Sequence, residues 1–393
     1  MGLPDRLRKR NLSEIILISV AFILRLFLIF TIKWCNSSDL NNYFWAAERV
    51  IGGENPYILW QNHLQGPRSD LLPLELLLLS LIISVWESPY AIRVFFGLCD
   101  VVVMLLIIRL FRDNTLRKIL WLTFYGLGAG PLFLFVLTPT DKTLLLALVL
   151  LIVVLARFYR PYPWVYSIIL GLLAALKWIG LVIAFPVLHA FARNKRQLFC
   201  LFLVVIALFG VSHVLWYPDW QIVYKFRASR LHLPPFHTSV ALVLQKLGMP
   251  MQNLYSFLIV LSLAACGLAY LLGWIDWEKA MALSLWAFVY WTPDCTPQML
   301  LFVSILLLIE VDWTSWKHSL IIWVGMLFHT LISAASVYPI IGGLIDLQWM
   351  TNFTGIYGST RTAVLSQVFP LSCLFLLIKD VLHTIVQTKV SPT

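Results

Sequence analysis

Long apolar runs separated by short polar segments extend over most of the chain. A run of about 20 apolar residues is long enough to cross the hydrocarbon core of a bilayer as an α-helix. The pattern therefore predicts an all-α, polytopic transmembrane bundle that forms one domain over residues 1–393, with about twelve spans. The expected spans are residues 13–33, 91–110, 119–137, 142–158, 163–177, 178–192, 197–216, 253–273, 279–293, 299–311, 319–337 and 363–380.

The composition narrows the class of protein. Hydrophobic residues make up 60% of the chain and charged residues only 12%, whereas soluble domains have about 45–50% and 25%. This excludes a soluble enzyme, a nucleic-acid-binding protein and a disordered scaffold. The expected surroundings are a bilayer, and no nucleic-acid partner is expected.

The net charge of +10 bears on orientation, because Lys and Arg concentrate in cytoplasmic loops. Basic clusters precede the first apolar run and recur at 109–118 and 193–196. All of them fall in the cytoplasm only if the run 71–86, which contains Pro73 and Glu75, lies on the outer surface without spanning. Both termini are then cytoplasmic. The long outer loops are residues 34–90, 217–252 and 338–362.

The outer segment 37–57 contains a stripe of apolar residues at helical spacing, which predicts an amphipathic helix on the outer face. Ser38 or Asp39 is expected at its N-cap and Gly52-Gly53 at its end. The following Asn55-Pro56-Tyr57 is typical of a rigid turn. Residues of the stripe are Tyr43, Phe44, Ala47, Val50 and Ile51.

Asp39 has two interpretations of equal weight. As an N-cap it would contribute about 1 kcal/mol to helix stability. As a carboxylate at the boundary between water and lipid, it would be available as a general base.

Several motifs of this chain resemble those of the GT-C glycosyltransferase superfamily, in particular the branch of GPI mannosyltransferase I and related bacterial polyprenyl-phosphate-mannose-dependent transferases. The late outer turn Thr296-Pro297-Gln298 is similar to a turn that opens a late span in that branch, and Lys177 lies at a span end. The first outer loop contributes the remaining matches, Asp39, Tyr43, Gly53, Pro56, Tyr57 and Pro73-Leu74.

The resemblance implies an integral-membrane enzyme with its active site on the outer, periplasmic, extracellular or lumenal, face. It would move a hexose, with mannose expected, from a polyprenyl-phosphate donor to a hydroxyl of a lipid or glycan acceptor. The anomeric carbon would be inverted, with Asp39 as the general base. The resemblance leaves room for a small accessory membrane subunit. The residues expected to bind donor or substrate are Tyr43, Asn55, Tyr57, Asp141, Lys177, Arg227, Arg230, His232 and Gln298.

Two positions depart from the pattern of the family. Ser37 stands where GPI mannosyltransferases have the first Asp of Asp-x-Asp, and Met299 replaces an aromatic residue after Pro-Gln. Divalent cations usually require more than one carboxylate. The sequence therefore supports neither a divalent metal nor any other cofactor.

Cations on the outer side would stabilise the departing lipid phosphate. Lys177 lies in an apolar stretch, where a charge is either functional or extends to the interface. Arg227 and Arg230 would share a helix face, to bind the donor phosphate or lipid headgroups. The other cationic candidates are Lys225, His232 and His237.

Three acidic residues also have two interpretations each. For Asp141, a helix N-cap is slightly favoured over a site residue. Asp100 falls within a span, where it either acts in function or is protonated and hydrogen-bonded between helices. Asp294 either lines the cavity or caps a helix.

A membrane transporter or a flippase for lipid-linked sugars is the competing class of function. A transporter would have paired, interrupted spans around a site at the midplane. The polar residues of this chain gather instead around 36–70, 138–142 and 217–237, on one side of the membrane. A non-catalytic subunit of a glycosylation complex is a third alternative.

Overall fold

The computed structural model describes residues 3–31, 38–62, 71–137, 140–214, 216–230, 236–237, 239–249, 254–292, 294–341 and 360–390. These residues are helical throughout, apart from their connecting segments and one pair of two-residue strands. The predicted all-α fold class is confirmed.

Five helices of the described part are long and apolar enough to cross a membrane. They support the prediction of an integral membrane protein, while the count of twelve spans stays a prediction. The five segments are Glu14–Thr31, Pro89–Leu110, Lys142–Tyr159, Lys195–His213 and Ala363–His383. Shorter apolar helices, such as Pro163–Leu176 and Ile179–Phe191, coincide with further expected spans.

The N-terminal third consists of two longer helices with three short helices between them. The short helix α4 packs against α2 and α5. At 13 residues it is only about 20 Å long, shorter than the hydrocarbon core. The helices are α1 Leu3–Thr31, α2 Ser38–Ile51, α3 Pro56–Asn62, α4 Pro73–Val85 and α5 Pro89–Leu110.

Helix α2 is the predicted amphipathic helix of the first outer loop. It ends at Gly52-Gly53 as expected, with Gly53 in the left-handed conformation at φ 78°. Tyr43 and Ala47 are buried as the stripe requires, but Ile51 is 49% exposed. Ala46, which lies outside the predicted stripe, is fully buried in the hydrophobic cluster that α2 forms with α4 and α5.

The middle of the chain contains six helices, three of them followed by a short π-helical segment. The helices are α6 Thr115–Trp121, α7 Ala129–Pro131, α8 Lys142–Val154, α9 Pro163–Leu176, α10 Ile179–Phe191 and α11 Lys195–His213. The π-helical segments are Leu122–Gly126, Leu132–Leu137 and Leu155–Tyr159.

The expected span 119–137 is not one continuous α-helix, which corrects the sequence interpretation. The backbone leaves the helix at Leu127 and Gly128. A side chain at position 128 would place its Cβ 2.0 Å from the carbonyl oxygen of Phe124, so only glycine fits this break. Apolar periodicity does not register such a break, because the residues on both sides of it are apolar.

The C-terminal part packs long helices against the middle of the bundle. The parallel strands pair Phe236 with Asp294 and His237 with Cys295, which joins two segments that are far apart in sequence. The elements are α12 Gln221–Arg230, β1 Phe236–His237, α13 Val240–Lys246, α14 Tyr255–Leu271, α15 Trp277–Tyr290, β2 Asp294–Cys295, α16 Pro297–Ile309, α17 Trp316–Ile341, α18 Thr360–Ser366 and α19 Val368–Val390.

A buried ion pair between Arg25 and Asp100 ties α1 to α5 within the apolar core. The Arg25 guanidinium also donates to the carbonyl oxygens of Ala21 at 3.1 Å and Gly126 at 2.7 Å. The hydroxyl of Tyr125 donates to the second oxygen of Asp100. Asp100 therefore bonds between helices, but through an ion pair with Arg25 and not as the protonated acid of that interpretation.

We expect Asp100→Asn to destabilise the fold, because it leaves a buried guanidinium without its counter-charge. Breaking a buried pair in this way costs about 3–5 kcal/mol, so the variant should unfold at a clearly lower temperature in detergent solution. Asp113→Asn is the control, since that side chain is 86% exposed beside Arg112. Identical melting temperatures for the wild type and both variants would contradict a structural role of the pair.

Candidate functional site

Two buried carboxylates and two lysines form a charged cluster at one end of the bundle. The ammonium of Lys177 lies between them, with Nζ 3.1 Å from Oε2 of Glu75 and 3.4 Å from Oδ2 of Asp141. Lys142 makes an ion pair with the other oxygen of Asp141. Both carboxylate side chains are 3% exposed, so the charges compensate each other away from bulk water.

Each member of this charged cluster comes from a helix end. Glu75 is the third residue of α4, which Pro73 opens. Asp141 and Lys142 stand where α8 begins. Lys177 lies in the break between α9 and α10, with an extended backbone that ends α9. The charged cluster is therefore the point at which the ends of helices from three chain segments meet.

Asp141 stands at the N-cap position that the sequence slightly favoured, but its side chain does not cap the helix. It precedes the first residue of α8, but its side chain makes no capping hydrogen bond. Its oxygens contact the lysines and accept a hydrogen bond from the hydroxyl of Tyr43 at 3.4 Å. The competing attraction of two ammonium groups in a buried place outweighs a backbone cap.

Tyr43 brings helix α2 to the charged cluster. Asp39 precedes Tyr43 by four residues, about one turn of the same helix. The helix begins at Ser38, so Asp39 lies in its first turn, while the side chain of Asp39 lies outside the described residues. The candidate base therefore belongs to the helix that contacts the charged cluster, at a position one turn away from that contact.

The pKa values of the two carboxyl groups shift in opposite directions. Burial raises the pKa of Glu75 from its ordinary value of 4.5 to about 7, and the nearby Lys177 offsets only part of that rise. Burial also acts to raise the pKa of Asp141, but the ammonium groups of Lys142 and Lys177 outweigh it and hold that pKa below its ordinary value of 3.8. Near neutral pH, Asp141 stays ionised and Glu75 can exchange a proton.

Buried polar atoms at the charged cluster lack hydrogen-bond partners within the described part of the chain. Oε2 of Glu75 and Oδ2 of Asp141 are engaged by the ammonium of Lys177 through ion pairs. Oε1 of Glu75 and Oγ1 of Thr140 have neither an ion pair nor a hydrogen bond to a described residue, and both side chains are almost fully buried. Buried polar groups in folded proteins are nearly always hydrogen-bonded. The charged cluster therefore retains unused hydrogen-bonding capacity in a carboxylate oxygen and a hydroxyl.

Aromatic side chains form a wall beside Lys177. Trp178 stacks on Tyr224 of α12, with ring centroids 5.1 Å apart. The Tyr224 hydroxyl donates to Nε2 of His213 at 2.8 Å, because Nδ1 of His213 donates to the carbonyl oxygen of Phe209. These aromatic contacts connect α12 to the break between α9 and α10 that contains Lys177.

Asn55 and Tyr57 connect segments that are far apart in sequence. The Asn55 amide donates to Oδ2 of Asp219 at 2.8 Å, and its side-chain oxygen accepts from the backbone N–H of Tyr57. Pro56 begins α3, so Asn55 caps a helix where the sequence predicted a rigid turn. The hydroxyl of the buried Tyr57 donates to the carbonyl oxygen of Leu71. Donor binding by Asn55 and Tyr57 stays a prediction.

The remaining expected site residues are only partly described. Arg227 and Arg230 lie on the predicted helix, α12, but their side chains lie outside the described residues, as does the whole of His232. The side chains of Asp294 and His237 also lie outside them. Gln298 is half-buried at the second position of α16, which begins after the predicted Pro-containing turn.

No group of three or more His, Cys, Asp or Glu side chains in the described part of the chain is close enough to hold a metal ion. At the charged cluster, the Lys177 ammonium occupies the place between the two carboxylates. The expectation about divalent metals therefore stays a prediction.

Sequence reasoning missed Glu75 and Lys142 as members of the site. In the sequence, Glu75 counts only as an argument against membrane spanning, although an acidic residue in the run PLELLLL is itself a functional signal. The available signal was a charged residue at the start of an apolar helix in each case.

No protein-family model matches this chain, and no curated protein is significantly similar to it.

The raised pKa of Glu75 predicts a specific pH dependence of stability. The folded protein retains this proton to higher pH than the unfolded chain, so the contribution is complete below about pH 4.5 and is lost as the pH rises to about 7. Glu75→Gln keeps a neutral side chain at every pH and removes that loss. Its melting temperature should fall less than that of the wild type between pH 5 and pH 7.5.

Glu87→Gln is the matched control for this measurement, because Glu87 is exposed just after the same helix. It should follow the wild type at both pH values. A Glu75→Gln protein with the same pH dependence as the wild type would show that Glu75 does not titrate in this range.

Proposed function

We propose that the chain is an integral-membrane glycosyltransferase that moves a hexose, with mannose expected, from a polyprenyl phosphate to an acceptor hydroxyl on the outer face. The charged cluster of Glu75, Asp141, Lys142 and Lys177 is the observation that carries this proposal. It supplies two cations and an unpaired carboxylate oxygen at the end of the bundle where helix α2 begins. The resemblance to the GT-C superfamily supports the same reaction.

The proposed reaction is a single displacement. The acceptor oxygen forms a bond to the anomeric carbon while the bond from that carbon to the phosphate oxygen breaks. The lipid phosphate leaves with the electron pair, and the acceptor proton passes to a carboxylate. Inversion follows because attack and departure take place on opposite faces of the sugar.

Each half of this reaction has candidate residues. Lys177 and Lys142 are suited to the charge that grows on the departing phosphate, since buried cations need no reorganisation to stabilise it. Asp39 is the proposed base. Glu75 is the alternative base within the described part of the chain, because a carboxyl group with a pKa of about 7 accepts a proton efficiently near neutral pH.

Asp39→Asn tests the base in membranes supplied with labelled polyprenyl-phosphate mannose. The change keeps the size of the side chain and removes the proton acceptor, so transfer should fall about 10²–10⁴-fold at equal protein level. Glu48→Gln is the control, because Glu48 is exposed on the same helix.

The comparison also separates the alternatives. Loss in Glu75→Gln with full transfer in Asp39→Asn would assign the base to Glu75. Label that crosses the bilayer of a sealed vesicle without becoming bonded to any acceptor would favour the transporter or flippase, and would count against the enzyme.

Lys177→Met tests the stabilisation of the leaving phosphate. Removing one stabilising charge or donor of this kind lowers turnover by about 10²–10³-fold, and Lys177→Arg should recover part of the loss because it restores a cation. Lys195→Met, at the exposed start of α11, is the control. Unchanged kcat in Lys177→Met would remove Lys177 from the reaction and leave it as a structural ion-pair partner.

A further inference from the structure

A second polar site lies at the opposite end of the bundle from the charged cluster. It is a cavity of about 510 Å³ whose lining includes Arg157, Arg160, Arg193, Phe191, Trp277 and Glu278. Asp141 stands at the start of α8, and Arg157 follows 16 residues later in the same continuous helical segment. At 1.5 Å per residue the two positions are about 24 Å apart, so the cavity and the charged cluster occupy different ends of the bundle.

The arginines of this cavity are not equivalent. Arg157 is neutralised, because its guanidinium pairs with Glu278 and with Glu310, the latter at 3.2 Å. Arg160 and Arg193 are exposed, and neither guanidinium has an ion pair or hydrogen bond to a described residue. The cavity therefore has two positive charges, on Arg160 and Arg193, that are available to an anion. The third, on Arg157, is engaged by its ion pair with Glu278 of the cavity lining.

The backbone fixes the position of one of these free charges. Arg160 adopts the left-handed conformation at φ 44°, ψ 56°, where its N–H donates to the carbonyl oxygen of Leu155 and ends the π-helical segment. A non-glycine residue in this conformation carries a conformational cost. On the facing wall, Phe191 and Trp277 are in edge contact with ring centroids 5.3 Å apart, which gives the cavity a firm aromatic side.

The surroundings of the cavity indicate where its ligand comes from. Tyr159, Tyr162 and Trp164 lie along the same stretch of chain, and each is more than half exposed. Exposed Tyr and Trp of a membrane protein concentrate at the level of the lipid headgroups. An anion that reaches a cavity at this level, beside two arginines, is most readily the phosphate of a lipid.

We infer that this cavity binds the phosphate of an anionic membrane-lipid headgroup between Arg160 and Arg193, at the end of the bundle that the charge distribution assigns to the cytoplasm. The guanidinium groups hold the phosphate oxygens by charge-assisted hydrogen bonds. Basic pockets at this level of a helical bundle are suited to lipid headgroups. Trp277 and Phe191 pack against the rest of the headgroup.

The test measures lipid binding to the full-length protein in detergent by native mass spectrometry, with phosphatidylglycerol as the probe. Two arginines near the membrane surface together account for about a thirtyfold change in affinity. The double variant Arg160→Gln/Arg193→Gln should therefore bind phosphatidylglycerol about thirtyfold more weakly than the wild type. Arg193→Gln alone, which leaves the backbone at Arg160 untouched, should lose about fivefold.

Arg196→Gln is the matched control, because Arg196 is exposed in the same basic segment and does not line the cavity. It should bind the probe as the wild type does. Equal binding by all four proteins would overturn the inference. Displacement of the probe by millimolar inorganic phosphate would overturn the lipid source and assign the cavity to a soluble anion. Because the readout is binding, a failed transfer assay would leave this result unaffected.

Discussion

The ion pairs that Lys177 makes with Glu75 and Asp141 hold one end of the helical bundle together. The lysine stands in the break between two apolar helices, while its two partners begin two others. A charge buried away from water must be paired, so this requirement brings three chain segments to one point. Helix α2 is connected to this point by the hydrogen bond from Tyr43 to Asp141. Helix α12 is connected to it by the stacking of Tyr224 on Trp178.

The buried charges of this bundle differ in how fully they are paired and hydrogen-bonded. Arg25 and Asp100 are saturated by each other and by neighbouring carbonyl and hydroxyl groups, which suits a permanent tie between helices. The charged cluster is not saturated, because Oε1 of Glu75 has no hydrogen-bond partner among the described residues. Saturated buried charges stabilise a fold, whereas an unsaturated buried carboxylate marks a place where a ligand or a proton can be taken up.

The two polar sites at opposite ends of the helical bundle differ in their chemistry. The charged cluster mixes acids with lysines, as the proposed proton transfer beside a phosphate requires. The other cavity has two exposed arginines, an aromatic wall and a carboxylate already engaged by Arg157, which suits binding without chemistry. Helix α8 and the π-helical segment after it connect the two ends. A lipid phosphate held at one end would fix the depth and tilt of the bundle that presents the charged cluster at the other.

The sequence by itself determined the all-helical membrane class, the amphipathic helix α2 with its glycine end, and most helix positions. These depend on apolar periodicity and local turn chemistry, which neighbouring residues settle. It did not reveal the break at Gly128, the side-chain role of Asp141, or the membership of Glu75 and Lys142 in the charged cluster. Only the tertiary structure decided these. Glu75 and Asp141 depend on Lys177, which comes from a distant segment, and the break at Gly128 depends on a local backbone path to which apolar periodicity is blind.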